Sequence, residues 1–310
     1  MHSCIINRGG HKILGRYKNG NYFVEIWDDG TKIRIQPDDN ADFVPAFAEN
    51  CDVKITDSCD GGCPFCYEGC TPEGKHGRLN LKLWDTLHPF TELAINGNDL
   101  SHPQLEQFLK RMKEKQVIVN MTVNQKHFQR YYGKLCRLSD NGLIHGIGIS
   151  LVKPDPYFTG MVNKAFPNAV IHTIAGITTP EQYRAMYDKN LKILVLGYKT
   201  RGRGQQYFSH NVASVLENQL WLQENLKELP NHFNVVSFDN LALEQLHVKE
   251  SGILTDDEWN EFYMGDDGNF TFYIDLVKQE FAKNSVSDER YPIGNLTIDE
   301  MFAKIKTGIC

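Results

Sequence analysis

The chain has 310 residues and a mass of 35.5 kDa, enough for one large domain or two modest ones. Hydrophobic residues at 41% and charged residues at 23% exclude a disordered or collagen-like chain. The net charge of −6 gives no overall positive field, so we expect no nucleic-acid partner. No apolar run approaches the ~20 residues of a membrane-spanning helix and residues 1–8 show no secretory signal, so we expect a cytoplasmic protein without a membrane partner.

The first fifty residues predict a β-rich extension. Residues 22–27 and 31–35 alternate between apolar and polar side chains on either side of Asp29 and Gly30, which is typical of a β-hairpin. The turn-forming residues 37–40 end this pattern, and a short connection leads to Cys51.

From residue 51 to residue 247, short apolar runs alternate with amphipathic patterns. The runs predict seven strands, at residues 53–56, 92–95, 117–123, 147–151, 169–174, 192–196 and 234–238. Apolar residues at helical spacing predict helices with two buried stripes, namely Leu105, Phe108, Leu109 and Met112, and Val212, Val215, Leu216 and Leu220. Apolar strands that alternate with helices indicate parallel β/α units. We therefore expect an α/β fold, a partial (β/α)6 TIM-like barrel with its site at the carboxyl ends of the strands.

Residues 248–310 predict a small α+β cap. A turn at residues 266–269 precedes a strand-like run at residues 270–274, and Ile298, Met301 and Phe302 indicate a short final helix. The sequence thus predicts three parts, which are the β extension at residues 1–50, the barrel at residues 51–247 and the cap at residues 248–310.

Four of the eight cysteines lie between Cys59 and Cys70. In a reducing compartment such clustering indicates metal binding or chemistry more often than disulfides. Cys59, Cys63 and Cys66 form a C-x3-C-x2-C motif directly after a predicted strand, which places them on a loop at the catalytic edge of a barrel. Thiolates are soft ligands that suit iron–sulfur clusters and zinc. Three cysteines can hold three irons of a four-iron cube and leave the fourth open to a small molecule.

This loop, with Phe65 at the aromatic position, resembles the signature of the radical S-adenosylmethionine (SAM) superfamily over roughly residues 51–246. The resemblance implies one 4Fe-4S cluster on Cys59, Cys63 and Cys66, with SAM bound at the open iron and Phe65 near the adenine. It also implies that an external electron donor, such as flavodoxin or ferredoxin, drives cleavage of SAM to a 5′-deoxyadenosyl radical. That radical would abstract a hydrogen atom from the substrate.

The same resemblance assigns further SAM contacts to the ends of the strands. They are Asn96, Gly97, Asn98 and Asp99 after the second barrel strand, Asn124 after the third, Ser150 after the fourth, and Tyr198 and Arg203 after the sixth. The family's Gly-Gly-Glu motif has no Glu here, so Asn98 or Asp99 is expected to supply the acceptor. The basic groups of Lys199 and Arg203 are candidates to hold the SAM carboxylate or an anionic substrate. Asp239 follows the last barrel strand and is a candidate to face the substrate.

The C-terminal region resembles half of the extension found in peptide-modifying members of the superfamily. Because no cysteine occurs between Cys136 and Cys310, this region cannot build a second cluster by itself. The resemblance implies a peptide or protein substrate, modified for example by epimerisation or crosslinking. Cys70 and Cys310 are candidate hydrogen-atom donors for such a reaction. A small molecule or nucleoside is the alternative substrate.

A structural zinc site in a non-catalytic binding module is the alternative from another class. It would use Cys59, Cys63, Cys66 and Cys70. Zinc sites usually pair two short motifs across a longer loop, whereas these four thiols lie in one loop, which disfavours zinc. His145 and His172 belong to apolar runs, and we expect both to be hydrogen-bonded core residues.

Overall fold

The structure, a computed structural model, describes residues 10–38, 41–96 and 99–308. Its strands are β1 (Ile13–Asn19), β2 (Tyr22–Trp27), β3 (Lys32–Ile35), β4 (Asn50–Lys54), β5 (Glu92–Asn96), β6 (Ile118–Asn124), β7 (Gly146–Ser150), β8 (Val170–Ile174), β9 (Lys192–Leu196), β10 (Val235–Phe238), β11 (Thr271–Asp275), β12 (Glu280–Ala282) and β13 (Tyr291–Pro292).

The helices alternate with the strands of the central region. They are α1 (Leu105–Glu114), α2 (Gln125–Arg130), α3 (Tyr132–Asp140), α4 (Pro156–Ala165), α5 (Pro180–Met186), α6 (Arg203–Glu224), α7 (Leu229–His232), α8 (Asn240–Gln245), α9 (Asp256–Phe262) and α10 (Ile298–Thr307). Short 3₁₀ turns lie at Lys82–Thr86, Asp99–Ser101 and Leu226–Glu228. No helix in the described residues is both long enough and apolar enough to cross a membrane.

One large, mostly parallel sheet dominates the fold. Its strand order is β10-β9-β8-β7-β6-β5-β4-β11-β12-β13. Strands β4 to β10 follow one another in sequence and are all parallel, which requires a crossover between each pair. The seven strands predicted between residues 51 and 247 correspond to β4–β10 and are confirmed. The chain is therefore a mixed α/β protein.

The parallel strands separate two environments by their alternating side chains. In β5 and β8 the second and fourth residues are fully buried, and Leu93, Ile95 and Ile171 join the apolar side chains of the helices in one core. The residues between them line a cavity of about 1430 Å³ on the opposite face, as Ala94 and His172 do. The two-residue period of a β-strand therefore determines which side chains of these strands face the cavity.

The N-terminal extension is a three-stranded antiparallel sheet in the order β1-β2-β3. The predicted hairpin is confirmed as β2 and β3, and β1 is an additional strand. Ile26 of β2 packs in an apolar cluster with Ile118, the first residue of β6. Lys32 pairs with Glu92 at the start of β5 at 2.6 Å. These contacts place the small sheet across the amino ends of the parallel strands, where residues 26–31 form the floor of the cavity.

The C-terminal region, predicted as an α+β cap, contributes its three strands to the large sheet. Strand β11 pairs in parallel with β4, and β12 and β13 continue the sheet in antiparallel pairs. Asn240, just after β10, donates a hydrogen bond to Asp267, just before β11, at 2.8 Å. This side-chain contact joins the β10 side of the parallel strands to the β11 side.

The predicted buried stripe of α6 is wrong for three of its four residues. Val215 is buried, and it packs closely against Gly176, where an added Cβ would lie 2.6 Å from Val215 Cγ1. Val212, Leu216 and Leu220 are exposed. The helix therefore buries a narrower face than its apolar spacing indicates.

Candidate functional site

The cysteines lie on a closed loop at the carboxyl end of β4. The backbone N–H of Cys59 donates to Thr71 O at 2.8 Å, and that of Asp57 donates to Lys75 O at 2.8 Å, so the loop returns to its own start. Cys59, Cys63, Cys66 and Cys70 all line the cavity. The motif therefore lies at the carboxyl edge of the parallel sheet, which is the edge that the sequence predicts for it.

Gly61 leaves space beside two of the thiols. A Cβ on this residue would lie 3.3 Å from Cys59 Sγ and 3.9 Å from Cys63 Sγ, so a larger residue would fill the gap. The Cys70 thiol donates a hydrogen bond to Cys66, which lowers the pKa of Cys66 and raises that of Cys70. Thiols are soft metal ligands, and a glycine beside them leaves room for a metal group that is bound through sulfur. In the part of the chain that the structure describes, no three His, Cys, Asp or Glu side chains are arranged to bind one metal ion.

Arg203, the first residue of α6, donates hydrogen bonds to backbone carbonyl oxygens of the cysteine loop. Its guanidinium donates from Nε to Cys63 O at 3.1 Å and from Nη1 to Cys70 O at 2.9 Å. The Arg203 backbone N–H donates to Cys66 O at 3.0 Å. Gly202 has a φ of 52°, and a Cβ there would lie 2.4 Å from Tyr67 O, so only glycine allows this close approach. Arg203 thus holds three loop carbonyls, and its predicted contact with SAM stays a prediction.

Lys54 anchors the loop from the opposite side. This residue is 2% exposed, and its Nζ lies 2.5 Å from Glu68, 2.6 Å from Asp57 and 3.4 Å from Asp275. Burial lowers the pKa of Lys54, but the attached carboxylates raise it more, so the net pKa is raised and the ammonium stays charged. The network connects β4, the loop and β11 through one cation.

Asn124, at the end of β6, connects α2 to the loop. Its Oδ1 accepts from the Lys126 N–H at 2.9 Å and caps α2, while its Nδ2 donates to Cys63 Sγ at 3.6 Å. Asp60 in the loop accepts hydrogen bonds from Arg130 and His127, which lower the pKa of Asp60 to about 2. Helix α2 therefore contacts the loop through several polar groups.

Most of the predicted site residues share the cavity. Those that line it are Cys59, Cys63, Phe65, Cys66, Cys70, Asn96, Asn124 and Ser150. Tyr198 is buried, and its hydroxyl donates to Gly204 O at 2.6 Å at the start of α6. Gly97, Asn98, Cys310 and the side chain of Asp99 lie outside the described residues, so their predicted roles stay predictions.

No protein-family model matches this chain, and no curated protein does.

Charged residues also line the cavity, and three of them, Lys199, Asp239 and Asp52, interact electrostatically. Lys199 and Asp239 were expected there from sequence, and Asp52 of β4 was not. Burial raises the pKa values of Asp52 and Asp239, and the Lys199 cation offsets this only in part. Lys199 donates to Ser285 Oγ at 3.1 Å and lies over the Tyr67 ring at 4.3 Å from its centroid. The position of Asp52 in the cavity is predictable from sequence, because alternation along β4 places its side chain on the face opposite to Cys51 and Val53.

His172 is a cavity residue, and the prediction that it is a hydrogen-bonded core residue is wrong. Its ring lies across β7, where a Cβ on Gly148 would be 2.4 Å from Nε2. In the described chain no side chain forms a hydrogen bond with this ring. His145 is exposed and borders the same cavity at its amino end, so the prediction for it is also wrong.

Acidification is expected to destabilise the protein through His172. Burial lowers the pKa of His172 to about 4 from its ordinary 6.5, so the folded state resists protonation. The stability linked to the neutral ring is complete above pH 6.5 and is lost as the pH falls toward 4. Between these pH values, we expect the unfolding free energy of His172→Leu to fall less than that of the wild type. Urea denaturation at each pH measures it. His210→Leu, at an exposed position of α6, is the control, and equal slopes in all three proteins would contradict the expectation.

Proposed function

We propose that this protein is a radical SAM enzyme that uses one 4Fe-4S cluster to abstract a hydrogen atom from a peptide or protein substrate. The observation that carries the proposal is the C-x3-C-x2-C loop at the carboxyl edge of a parallel sheet, where its three cysteines line one large cavity. Cys59, Cys63 and Cys66 would each bind a separate iron at a corner of the cube, so they need not converge on one ion.

Residues of this chain supply the setting for that chemistry. A bound cluster would supply the electron that cleaves SAM. Gly61 leaves room beside two of the ligand thiols, and Arg203 and Lys54 hold the loop from two sides. Asn96 and Ser150 present polar groups at the same edge, where they can hydrogen-bond a bound cofactor. Apolar side chains line part of the cavity wall, where they would limit the access of water to a reactive radical.

We further propose that the large sheet curls into a partial (β/α)6 barrel. Residues from every parallel strand between β4 and β10 line the same cavity. If the sheet were flat, β4 and β10 would lie about 29 Å apart at the usual strand spacing. The hydrogen bond between Asn240 and Asp267 instead joins the two sides of the parallel strands.

The cavity volume bears on the substrate. At about 1430 Å³ it exceeds the roughly 300–1,000 Å³ of most small-ligand sites. It therefore has room for a cofactor together with part of a substrate, such as one residue of a peptide. The floor formed by residues 26–31 favours the second candidate, a compact small molecule or nucleoside. We also propose an external electron donor, such as flavodoxin or ferredoxin, that acts in the cytoplasm.

Anaerobic reconstitution with iron and sulfide tests the proposal. We expect a brown protein that holds about four irons per chain and releases 5′-deoxyadenosine from SAM when a strong reductant is added. The same preparation without reductant is the control. A colourless protein that retains zinc in place of iron would overturn the proposal and support the zinc-binding module.

A further inference from the structure

Helix α2 touches the cysteine loop at the residue that follows the first cysteine. His127 Nε2 lies 2.5 Å from Asp60 Oδ1, and Arg130 Nη1 donates to Asp60 Oδ2 at 2.5 Å. The His127 side chain is 1% exposed, whereas Asp60 is 45% exposed. A buried histidine therefore reaches out to a loop carboxylate that would otherwise extend into solvent.

The proton of His127 can be assigned from its surroundings. In the described chain its Nδ1 is buried and has no hydrogen-bond partner. A carboxylate accepts hydrogen bonds and does not donate them, so the ring nitrogen that faces Asp60 has to carry the proton. The proton therefore belongs on Nε2, and His127 donates to Asp60.

His127 also packs behind the two thiols next to Gly61. Its Cε1 lies 3.5 Å from the position of a Cβ on Gly61, and that position is close to both Cys59 Sγ and Cys63 Sγ. The same helix adds a hydrogen bond from Lys126 Nζ to Gly61 O at 3.3 Å. The imidazole thus supports the segment from its inner side while its Nε2 fixes Asp60.

We propose that His127 is a positioning residue, which holds the segment 59–63 in the arrangement described here through the hydrogen bond to Asp60, before any metal is bound. The role toward a cluster rests on the proposed function, but the ordering of the loop does not. Donors behind the ligands orient metal-binding groups in this way, and their loss typically costs 10–100-fold in metal affinity.

Two variants of His127 separate the hydrogen bond from mere space-filling. His127→Gln retains an N–H that can reach Asp60, whereas His127→Leu keeps an apolar side chain without the donor. Asp60→Ala removes the same bond from the solvent side, together with the bond from Arg130, without changing the core, so it is informative even if His127→Leu fails to fold. His232→Leu is the matched control. The Nδ1 of His232 lies 3.1 Å from Asp188 Oδ1, and neither residue belongs to the cysteine loop.

Hydrogen exchange of the amides of residues 59–66 in the metal-free protein is the deciding measurement. We expect about tenfold faster exchange in His127→Leu and Asp60→Ala, and wild-type rates in His127→Gln and His232→Leu. After reconstitution, we expect the first two variants to lose iron to a chelator about tenfold faster. Wild-type exchange in Asp60→Ala, or equal exchange in the Gln and Leu variants of His127, would overturn the proposal. A wild type that binds no iron would overturn the proposed function alone, since exchange still decides the role of His127.

Discussion

Cys59→Ser, Cys63→Ser and Cys66→Ser are each expected to lower bound iron below about a tenth of the wild-type content and to abolish release of 5′-deoxyadenosine. Each of these cysteines would hold one iron, and serine is a poor ligand for it. The measurement is iron content after anaerobic reconstitution, together with chromatography of the SAM products.

Cys70→Ser distinguishes the cluster from the zinc alternative. A four-thiolate zinc site requires Cys70 as its fourth ligand, whereas the proposed cluster requires only the first three. We expect this variant to retain its iron, and its serine hydroxyl can still donate a hydrogen bond to Cys66. Cys136→Ser on α3 is the control for replacing a cysteine outside the loop. If Cys70→Ser lost metal as completely as Cys66→Ser, the three-cysteine assignment would be wrong.

Lys54→Met is expected to lower the free energy of unfolding by about 3–5 kcal/mol. The methionine would leave Glu68, Asp57 and Asp275 close together without their shared cation, and breaking a buried ion pair from one side leaves charge uncompensated. Chemical denaturation monitored by circular dichroism measures the loss.

Lys110→Met is the matched control for Lys54→Met. Lys110 pairs with Glu106 one turn away on the exposed face of α1, at 3.7 Å. Exposed pairs of this spacing contribute about 0.3–0.5 kcal/mol, so the change in unfolding free energy should be small. Similar losses in the two variants would show that the Lys54 network does not stabilise the fold as its burial indicates.

The parallel sheet is predictable from sequence because its strands are short apolar runs between amphipathic helices. Strand β1 is not, since Arg16, Lys18 and Asn19 make its seven residues too polar to indicate a strand. It becomes a strand by pairing with β2, and this contact depends on the tertiary fold. The strand-like run at residues 270–274 does predict β11, but its parallel pairing with β4 in the large sheet depends on the tertiary fold.

The cysteine loop is predictable because its spacing is local, whereas the groups that hold it are distant in sequence. Lys54 interrupts an apolar run, and nothing local indicates that Glu68 and Asp275 surround it. His127 likewise looks like an ordinary helix residue until the fold brings it to Asp60. His172 was misassigned because alternation gives the face of a strand, but not whether that face borders a packed core or a hollow.

The β1-β2-β3 sheet covers the amino ends of the parallel strands, and this position bears on the order in which molecules enter the cavity. Residues 26–31 close the amino end of the described cavity, and the cysteines line its opposite end. A proposed substrate bound near Trp27 would therefore lie deeper than a cofactor bound beside the thiols. We expect such a substrate to enter before the cofactor and to leave after it.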